Sequence, residues 1–270
     1  MTLRILVRGG GDLASGVILR LHKAGWQVLV TELPRPLAVR RLVAFAQAVY
    51  QGSITVEDIP AQKVDSLEAV LPVMGRGAVP VLVDEDLAVL RAFQPHVLVD
   101  ARMRKAAPET GRDAAPLVIG LGPGFTAGGD CHAVIETNRG PFLGRVIWQG
   151  QAQPDTGLPE RRGSYQAERV LRAPAAGILE PLAEIGALLR PGDPVARVDG
   201  LPVTAPFSGV LRGLVHAGLH VRQGEKIGDV DPSGDPQLSR LVSDKALSIA
   251  GGVLEAILSW EPVRQYWQGG

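Results

Sequence analysis

The sequence predicts an α/β protein: an N-terminal α/β sheet domain, a glycine-rich central segment with short strands, and a C-terminal duplicated β module followed by a helix. Three observations carry this. An apolar run at residues 3–7 stops at three consecutive glycines, then gives way to helical spacing and a second apolar run. Glycine is dense across residues 119–130. Residues 173–199 recur at 205–231, an ungapped offset of thirty-two with ten of twenty-seven positions identical.

The run at 3–7 has the pattern of a buried parallel strand. Leu13, Val17 and Leu21 then share one helical face, with Gly25 as a stop signal, and residues 27–31 supply a second strand. Two parallel strands with a crossover helix form a βαβ unit. The alternation continues less cleanly: 37–49 reads as helix, 79–83 as strand, 87–93 as a short helix and 96–100 as strand. Residues 1–105 are therefore expected to form a Rossmann-like nucleotide-binding domain.

In residues 106–168, the glycine-rich central segment, HAVIET and LGRVIWQG read as short strands, and PDTGLP beside two arginines reads as an exposed connection. Residues 169–235 hold the duplication. Its matched pairs include Ala173 with Ala205, Gly177 with Gly209 and Gly192 with Gly224. Recurring glycines between apolar pairs suit short strands joined by tight turns, and two copies bury a core that neither buries alone. The pattern resembles the biotinyl/lipoyl-type barrel-sandwich, whose carrier members hold a prosthetic group on a lysine between the halves. Here that junction is Gly200-Leu201-Pro202-Val203, without the amine, so a structural or docking module is expected instead. In 236–270, residues 243–260 read as a helix packing on the body through Leu247, Ala250, Leu254 and Leu258, with Gly251-Gly252 weakening its middle.

Composition narrows the function classes. Lys+Arg and Asp+Glu both number 28, which argues against nucleic acid as the main partner. A single cysteine, Cys131, excludes an intramolecular disulfide and a four-thiolate zinc site, and fits a reducing compartment. The N-terminus has too few apolar residues between its arginines for a signal peptide, and no run of about eighteen apolar residues exists. A cytoplasmic protein without membrane association is expected.

The sharpest motif is Gly9-Gly10-Gly11-Asp12-Leu13-Ala14, which fits G-x-G-x-x-A after a strand and before a helix. Gly9 would make the tight turn, Gly11 would let a pyrophosphate approach, and Ala14 would let helix and strand pack closely. Exposed amides at the helix start bind anionic oxygens. Glu32, twenty-one residues after Gly11, is placed to accept ribose hydroxyls. Asp12 fits less well, its charge opposing a phosphate, and the turn could equally serve packing alone.

Arg35, Arg40 and Arg41 offer forked hydrogen bonds to an anion, or a solvated face. Asp100 and Arg102, within Asp100-Ala101-Arg102-Met103-Arg104, stand at the carboxyl end of a predicted strand; they serve a ligand or pin the loop. Gly122 and Gly124 belong to a row of glycines that could present amides to an anion. Cys131 and His132, adjacent on a strand, point to opposite faces and form no catalytic pair, whereas His132 and Glu136 share a face. No Ser-His-Asp order, HExxH, P-loop or metal-spaced histidine cluster occurs.

Taken together, VRGGGDLASGV, TELPRPLAVRR, VDARMRK, VIGLGPGFTAGGDCHAVIETNRG, LGRVIWQGQAQPDTGLP, APFSGVLRGLV, KIGDVDP and SDKALSIAGGVLEAIL resemble the YqeB family over nearly the whole chain. The resemblance implies an accessory role in maturing selenium-dependent molybdenum hydroxylases, similar in context to chaperone-like factors that insert a modified molybdopterin cofactor. It transfers no catalytic residues. Two departures stand out: no arginine follows Asp231-Pro232, and Cys131 occupies a position expected to be aliphatic. The expected function is thus a maturation factor binding a nucleotide, NAD(P) or a molybdopterin nucleotide. Alternatives are a dinucleotide-dependent oxidoreductase or nucleotidyl-transfer enzyme acting on the cofactor, and a non-catalytic docking scaffold. Expected partners are a molybdenum hydroxylase or other maturation factors, with a homo-oligomer left open.

Overall fold

The computed structural model describes residues 2–103, 108–155, 157 and 165–268. The chain divides into two units. The first comprises Met1–Pro36, Phe45–Asp155 and Val242–Gly270, and the second comprises Leu37–Ala44 and Thr156–Leu241.

In the first unit, β1 (Arg4–Arg8) leads through α1 (Asp12–Lys23) into β2 (Gln27–Glu32). A short α2 (Ala48–Gln51) precedes an antiparallel hairpin of β3 (Ser53–Val56) and β4 (Ile59–Val64). Then come α3 (Val70–Gly75), β5 (Val79–Val83), α4 (Leu90–Phe93) and β6 (Val97–Asp100). After them come β7 (Leu117–Leu121), β8 (Thr126–Ala127), β9 (Ala133–Ile135), β10 (Val146–Ile147) and β11 (Gly150–Gln151). Helices α5 (Asp244–Ser259) and α6 (Glu261–Gln268) complete the unit.

Nine of these strands form one sheet in the order β10-β9-β7-β6-β1-β2-β5-β4-β3, while β8 and β11 form a two-stranded ribbon. Every neighbouring pair from β4 to β9 is parallel, and the two outermost pairs are antiparallel. Ile5, Leu6, Val7, Leu29, Leu98 and Leu117 are wholly buried, as central parallel strands require. From β1 the chain moves outward to β2 and β5, then returns to β6 on the other side of β1. That reversal is the topological switch point, where open α/β sheets place ligands.

Residues 37–49 do not form the expected helix. They make 3-10 turns at Arg41–Val43 and Phe45–Gln47. Phe45 N–H donates to Ser15 Oγ (3.1 Å) and Ala46 N–H to Gly10 O (2.9 Å), so tertiary acceptors take the amides that a helix would have used.

Helix α5 begins at Ser243, whose hydroxyl accepts the Ala246 amide (3.2 Å). It lies against α1 at near backbone contact: a Cβ on Gly16 would sit 2.6 Å from the Ala246 carbonyl oxygen. A Cβ on Gly252 would strike the Gly144 carbonyl. Gly252 therefore serves close packing, whereas Gly251 faces open space.

The second unit holds β12 (Val170–Arg172), β13 (Gly177–Pro181), β14 (Leu188–Leu189), β15 (Pro194–Val198), β16 (Leu201–Thr204), β17 (Gly209–Leu214), β18 (His220–Val221) and β19 (Lys226–Asp231). They form two four-stranded antiparallel sheets, β12-β19-β17-β14 and β16-β15-β13-β18. The repeat maps β13, β14 and β15 onto β17, β18 and β19. Each sheet takes one short strand from the other copy, since β14 pairs with β17 and β18 with β13. Asp199 and Gly200, both at positive φ (50° and 80°), make the tight reversal from β15 to β16. Arg169 and Arg212 are buried between Asp229 and Asp231 at 3.3–3.9 Å, a charge-balanced cluster inside the unit.

The expected class is thereby corrected. Instead of a Rossmann-like domain, a separate glycine-rich segment and a C-terminal barrel-sandwich with its helix, the chain is a mixed α/β fold with one nine-stranded sheet and three small sheets. The glycine-rich segment is not separate, because apolar β7 and β9 are buried as strands of the large sheet. The C-terminal helix belongs to the first unit, and the paired small sheets of the second do not establish a barrel-sandwich. Half of the PDTGLP connection and the two arginines beside it lie outside the described residues, as does Arg104. No helix of the described residues is long and apolar enough to cross a membrane.

The packing of α5 yields a paired expectation in chemical denaturation. Gly252→Ala overpacks the Gly144 contact and lowers stability by about 1–3 kcal/mol. Gly251→Ala meets nothing and gains about 0.5–1 kcal/mol of helix propensity. Equal effects at the two positions would contradict the packing described.

Candidate functional site

The carboxyl edge of the large sheet gathers most of the residues singled out in the sequence. β1 ends at Arg8, and Gly9 turns the chain at φ +96°, its amide donating to Thr31 O (2.8 Å). Gly10 N–H donates to Glu32 Oε2 (2.7 Å), while its carbonyl accepts from Ala46 N–H (2.9 Å) and Ser15 Oγ–H (3.3 Å). A Cβ on Gly10 would lie 2.7 Å from the Ala46 nitrogen, so this glycine is a packing residue. Gly11 differs: it precedes α1 at φ −70°, has no side-chain cap, and a Cβ there would meet nothing within 4 Å. Asp12 and Leu13, half-buried, open the helix, and Ala14 is buried beneath it. First-turn amides of a helix have no carbonyl partner within it, so this end offers donors to an incoming oxygen.

Glu32 closes β2. Its Oε1 accepts the Leu33 amide (2.8 Å) as Oε2 accepts that of Gly10. Burial pushes its carboxyl pKa upward, against the opposing pull of the Gly10 and Leu33 amides and of Arg102. A carboxylate has about four lone-pair positions, so two amides leave room for further donors.

Asp100 closes β6 in register with Arg8. It is 1% exposed and receives Arg102 through Nε (3.0 Å) and Nη2 (2.6 Å). Glu109, with a half-exposed side chain, reaches both Arg102 Nη2 (2.7 Å) and Arg8 Nη1 (3.0 Å). Arg8 Nη2 also donates to Glu85 O (2.9 Å). Two arginines and two carboxylates thus form a balanced cluster at the switch point, with the Arg102 Cγ 3.3 Å from where a Cβ on Gly9 would be.

Gly122, at φ +73°, packs against the Thr137 hydroxyl and the Met103 methyl, and its amide donates to Ile135 O (2.9 Å). That amide is engaged within the protein. Gly124 lines a separate cavity of about 360 Å³ with Pro123, Gln151, Ala152, Pro154 and Asp155.

The other candidates fall elsewhere. Arg40 donates to Leu238 O (3.0 Å) and Leu241 O (2.6 Å), and Arg41 to Leu214 O (3.1 Å), structural bonds within the second unit. Arg35 is exposed. His132 and Glu136 do not share a site, because they flank β9 at its opposite ends. Glu136 instead accepts the amides of Asn138 (2.7 Å) and Gln153 (2.8 Å). Cys131 is wholly buried, and burial foremost, then Asp130, pushes its thiol up to about 12. Arg8 and Glu109 were not anticipated. A charged residue closing an otherwise apolar buried strand was the available signal for Arg8; Glu109 offered none.

The chain is 47% identical over 254 residues, 94% of its own length, to "Uncharacterized protein YqeB" of Escherichia coli (strain K12). The match takes in 47% of that relative, so the chain spans about half the length of the curated protein it matches. No family model matches. Among solved structures it is similar to an aspartoacylase family protein (mlr6093) of Mesorhizobium loti, at 13% identity and a TM-score of 0.29 over 85% of each chain. The ectoine utilization protein EutE (DoeB) of Ruegeria pomeroyi, product-bound, gives 12% identity and a TM-score of 0.26 over 85% of each. Scores this low establish no common fold.

Two measurements check the site's chemistry. Cys131 in the native protein at pH 8 reacts with a thiol reagent orders of magnitude more slowly than in denaturant; comparable rates would refute the buried, protonated thiol. The Glu32 carboxyl carbon titrates above the ordinary 4.5 in NMR. With the folded pKa raised, its contribution to stability is present below pH 4.5 and is lost as pH rises through the folded value. A midpoint at or below 4.5 would contradict desolvation as the dominant cause.

Proposed function

We propose that the chain belongs to the YqeB family, on its 47% identity over 94% of its length to the YqeB protein of Escherichia coli, and that it is an accessory factor in the maturation of selenium-dependent molybdenum hydroxylases. In this reading it holds a nucleotide or molybdopterin-type cofactor at the carboxyl edge of its nine-stranded sheet. The maturation role is supported by the whole-chain set of motifs, from VRGGGDLASGV to SDKALSIAGGVLEAIL. The binding role rests on one juxtaposition: a half-buried, amide-held Glu32 beside the start of α1, which has no side-chain cap, at the switch point.

The fit to such a cofactor is selective. The Gly10 amide is engaged by Glu32, so a phosphate cannot use it and is left the space at Gly11 and the first-turn amides of α1. Glu32 retains acceptor capacity for ribose or diol hydroxyls. Glu109 is the replaceable member of the charged cluster, because its side chain is 48% exposed while that of Asp100 is 1% exposed. An anion entering between Arg8 and Arg102 would take over the place that the Glu109 carboxylate holds. The residues bind and orient; no bond is made or broken in this reading.

Isothermal titration with NAD, NADP, CTP and molybdopterin-type ligands tests it. One of them binds; Gly11→Ala weakens it about tenfold without loss of stability, and Glu109→Ala strengthens binding several-fold by removing the carboxylate that competes with the ligand at Arg8 and Arg102. Folded protein that binds none of the four removes the cofactor half of the proposal.

A further inference from the structure

The amino edge of the same sheet carries a cleft of about 1120 Å³, at the opposite strand ends from the Glu32 site. Its walls come from residues that open neighbouring parallel strands. Arg4 begins β1, His96 precedes β6, Pro116 precedes β7 and His132 precedes β9. Arg91, Gln94, Arg112 and Tyr266 complete the polar lining, with Asp113 as the carboxylate among the cleft residues.

The two histidines are held alike. His96 Nδ1 accepts the Arg4 amide (3.0 Å), and His132 Nδ1 accepts the Val118 amide (2.9 Å). A backbone amide only donates, so each Nδ1 is a bare acceptor and each neutral ring carries its proton on Nε2. Burial first lowers both pKa values, and next the facing cation does so, Arg4 for His96 and Arg112 for His132, with Asp113 opposing at His132. Each ring also packs against an aromatic side chain. His96 stacks on Tyr266 at 4.1 Å, and His132 tilts against Trp260 at 5.1 Å. Trp260 is itself fixed by its Nε1–H to Pro116 O (3.0 Å).

The guanidinium groups are incompletely used. Arg4 Nε is buried without a hydrogen-bond partner among the described residues. Among those residues Arg4 and Arg91 make no salt bridge, and Arg112 Nη1 donates only to Gly128 O (3.2 Å). Three guanidinium groups and two imidazole N–H donors therefore face one carboxylate. Such a wall carries more cationic donors than carboxylates and suits a ligand rich in anionic oxygen, and guanidinium forks match phosphoryl oxygens two at a time. The volume is ample for a small metabolite.

We infer that this cleft is a second binding site, for a phosphate-bearing small molecule, independent of the carboxyl-edge site. The two sources of that chemistry, inorganic phosphate and a phosphomonoester, are separated by titrating the full chain with phosphate and with AMP at constant ionic strength set by chloride. The imidazole Cε1–H resonances of the five histidines are followed, those of the cleft being assigned with His96→Gln and His132→Gln. The His96 and His132 signals shift saturably, and those of His22, His216 and His220 stay still. Arg91→Ala, at an exposed position, weakens the titration about tenfold, and Gly11→Ala leaves it unchanged. Tighter binding of AMP assigns the site to an ester, and equal binding assigns it to the phosphoryl group alone. No saturation of the cleft signals up to about 10 mM of either probe, or a shift that chloride reproduces, overturns the inference.

Discussion

At the carboxyl edge a half-buried carboxylate is fastened by two backbone amides, and the first βα turn takes its shape from that fastening. Glu32 draws the Gly10 amide toward β2, the Gly10 carbonyl receives Ala46 and Ser15, and the middle glycine of the triplet becomes a close-packed joint. An unpaired amide or carboxylate buried here would cost about 1–3 kcal/mol or more, so the turn, the end of β2 and the segment at residues 45–46 hold one another in place. What such a turn usually offers a pyrophosphate is shifted one residue onward, to Gly11 and the helix start.

The two edges of the sheet differ in their electrostatics. At the carboxyl edge Arg8 and Arg102 face Asp100 and Glu109, so charges cancel and only the exposed Glu109 is easily exchanged. At the amino edge the guanidinium groups outnumber carboxylates and the histidines are fixed as donors. The first arrangement suits a ligand that brings hydroxyls and a replaceable anion. The second suits a more strongly charged guest. Both derive from side chains at the ends of neighbouring strands, where the fold brings distant residues within reach.

The sequence made β1, α1 and β2 legible because an apolar run, a glycine stop and helical spacing are strong local signals. The 173–231 duplication foretold paired strands, and Glu32 stood at the right distance to be noticed. The strand exchange between copies was not legible, since β14 and β18 have two residues each and no periodicity of their own. Residues 37–49 misled because their helical pattern lost to the tertiary acceptors Ser15 and Gly10. The role of Gly10 was hidden for a related reason: a glycine needed against the Ala46 backbone and one needed against a phosphate look the same in sequence. His96 and His132 drew no joint reading, as only the strand order brings them to one edge of the sheet, on either side of β7.

The return of Val242–Gly270 to the first unit has a consequence for the making of the protein. Helix α1 leaves the ribosome well before α5, yet the surface beside Gly16 finds its cover in α5, more than two hundred residues later. Until α5 emerges, the nascent chain carries the α1 surface around Gly16 without that cover. The second unit has all its strands by Asp231 and depends on none of that tail for its own sheets. Synthesis thus finishes the inner piece of the sequence before the outer one, and leaves α1 in need of protection from misplaced contacts while α5 is still to be made.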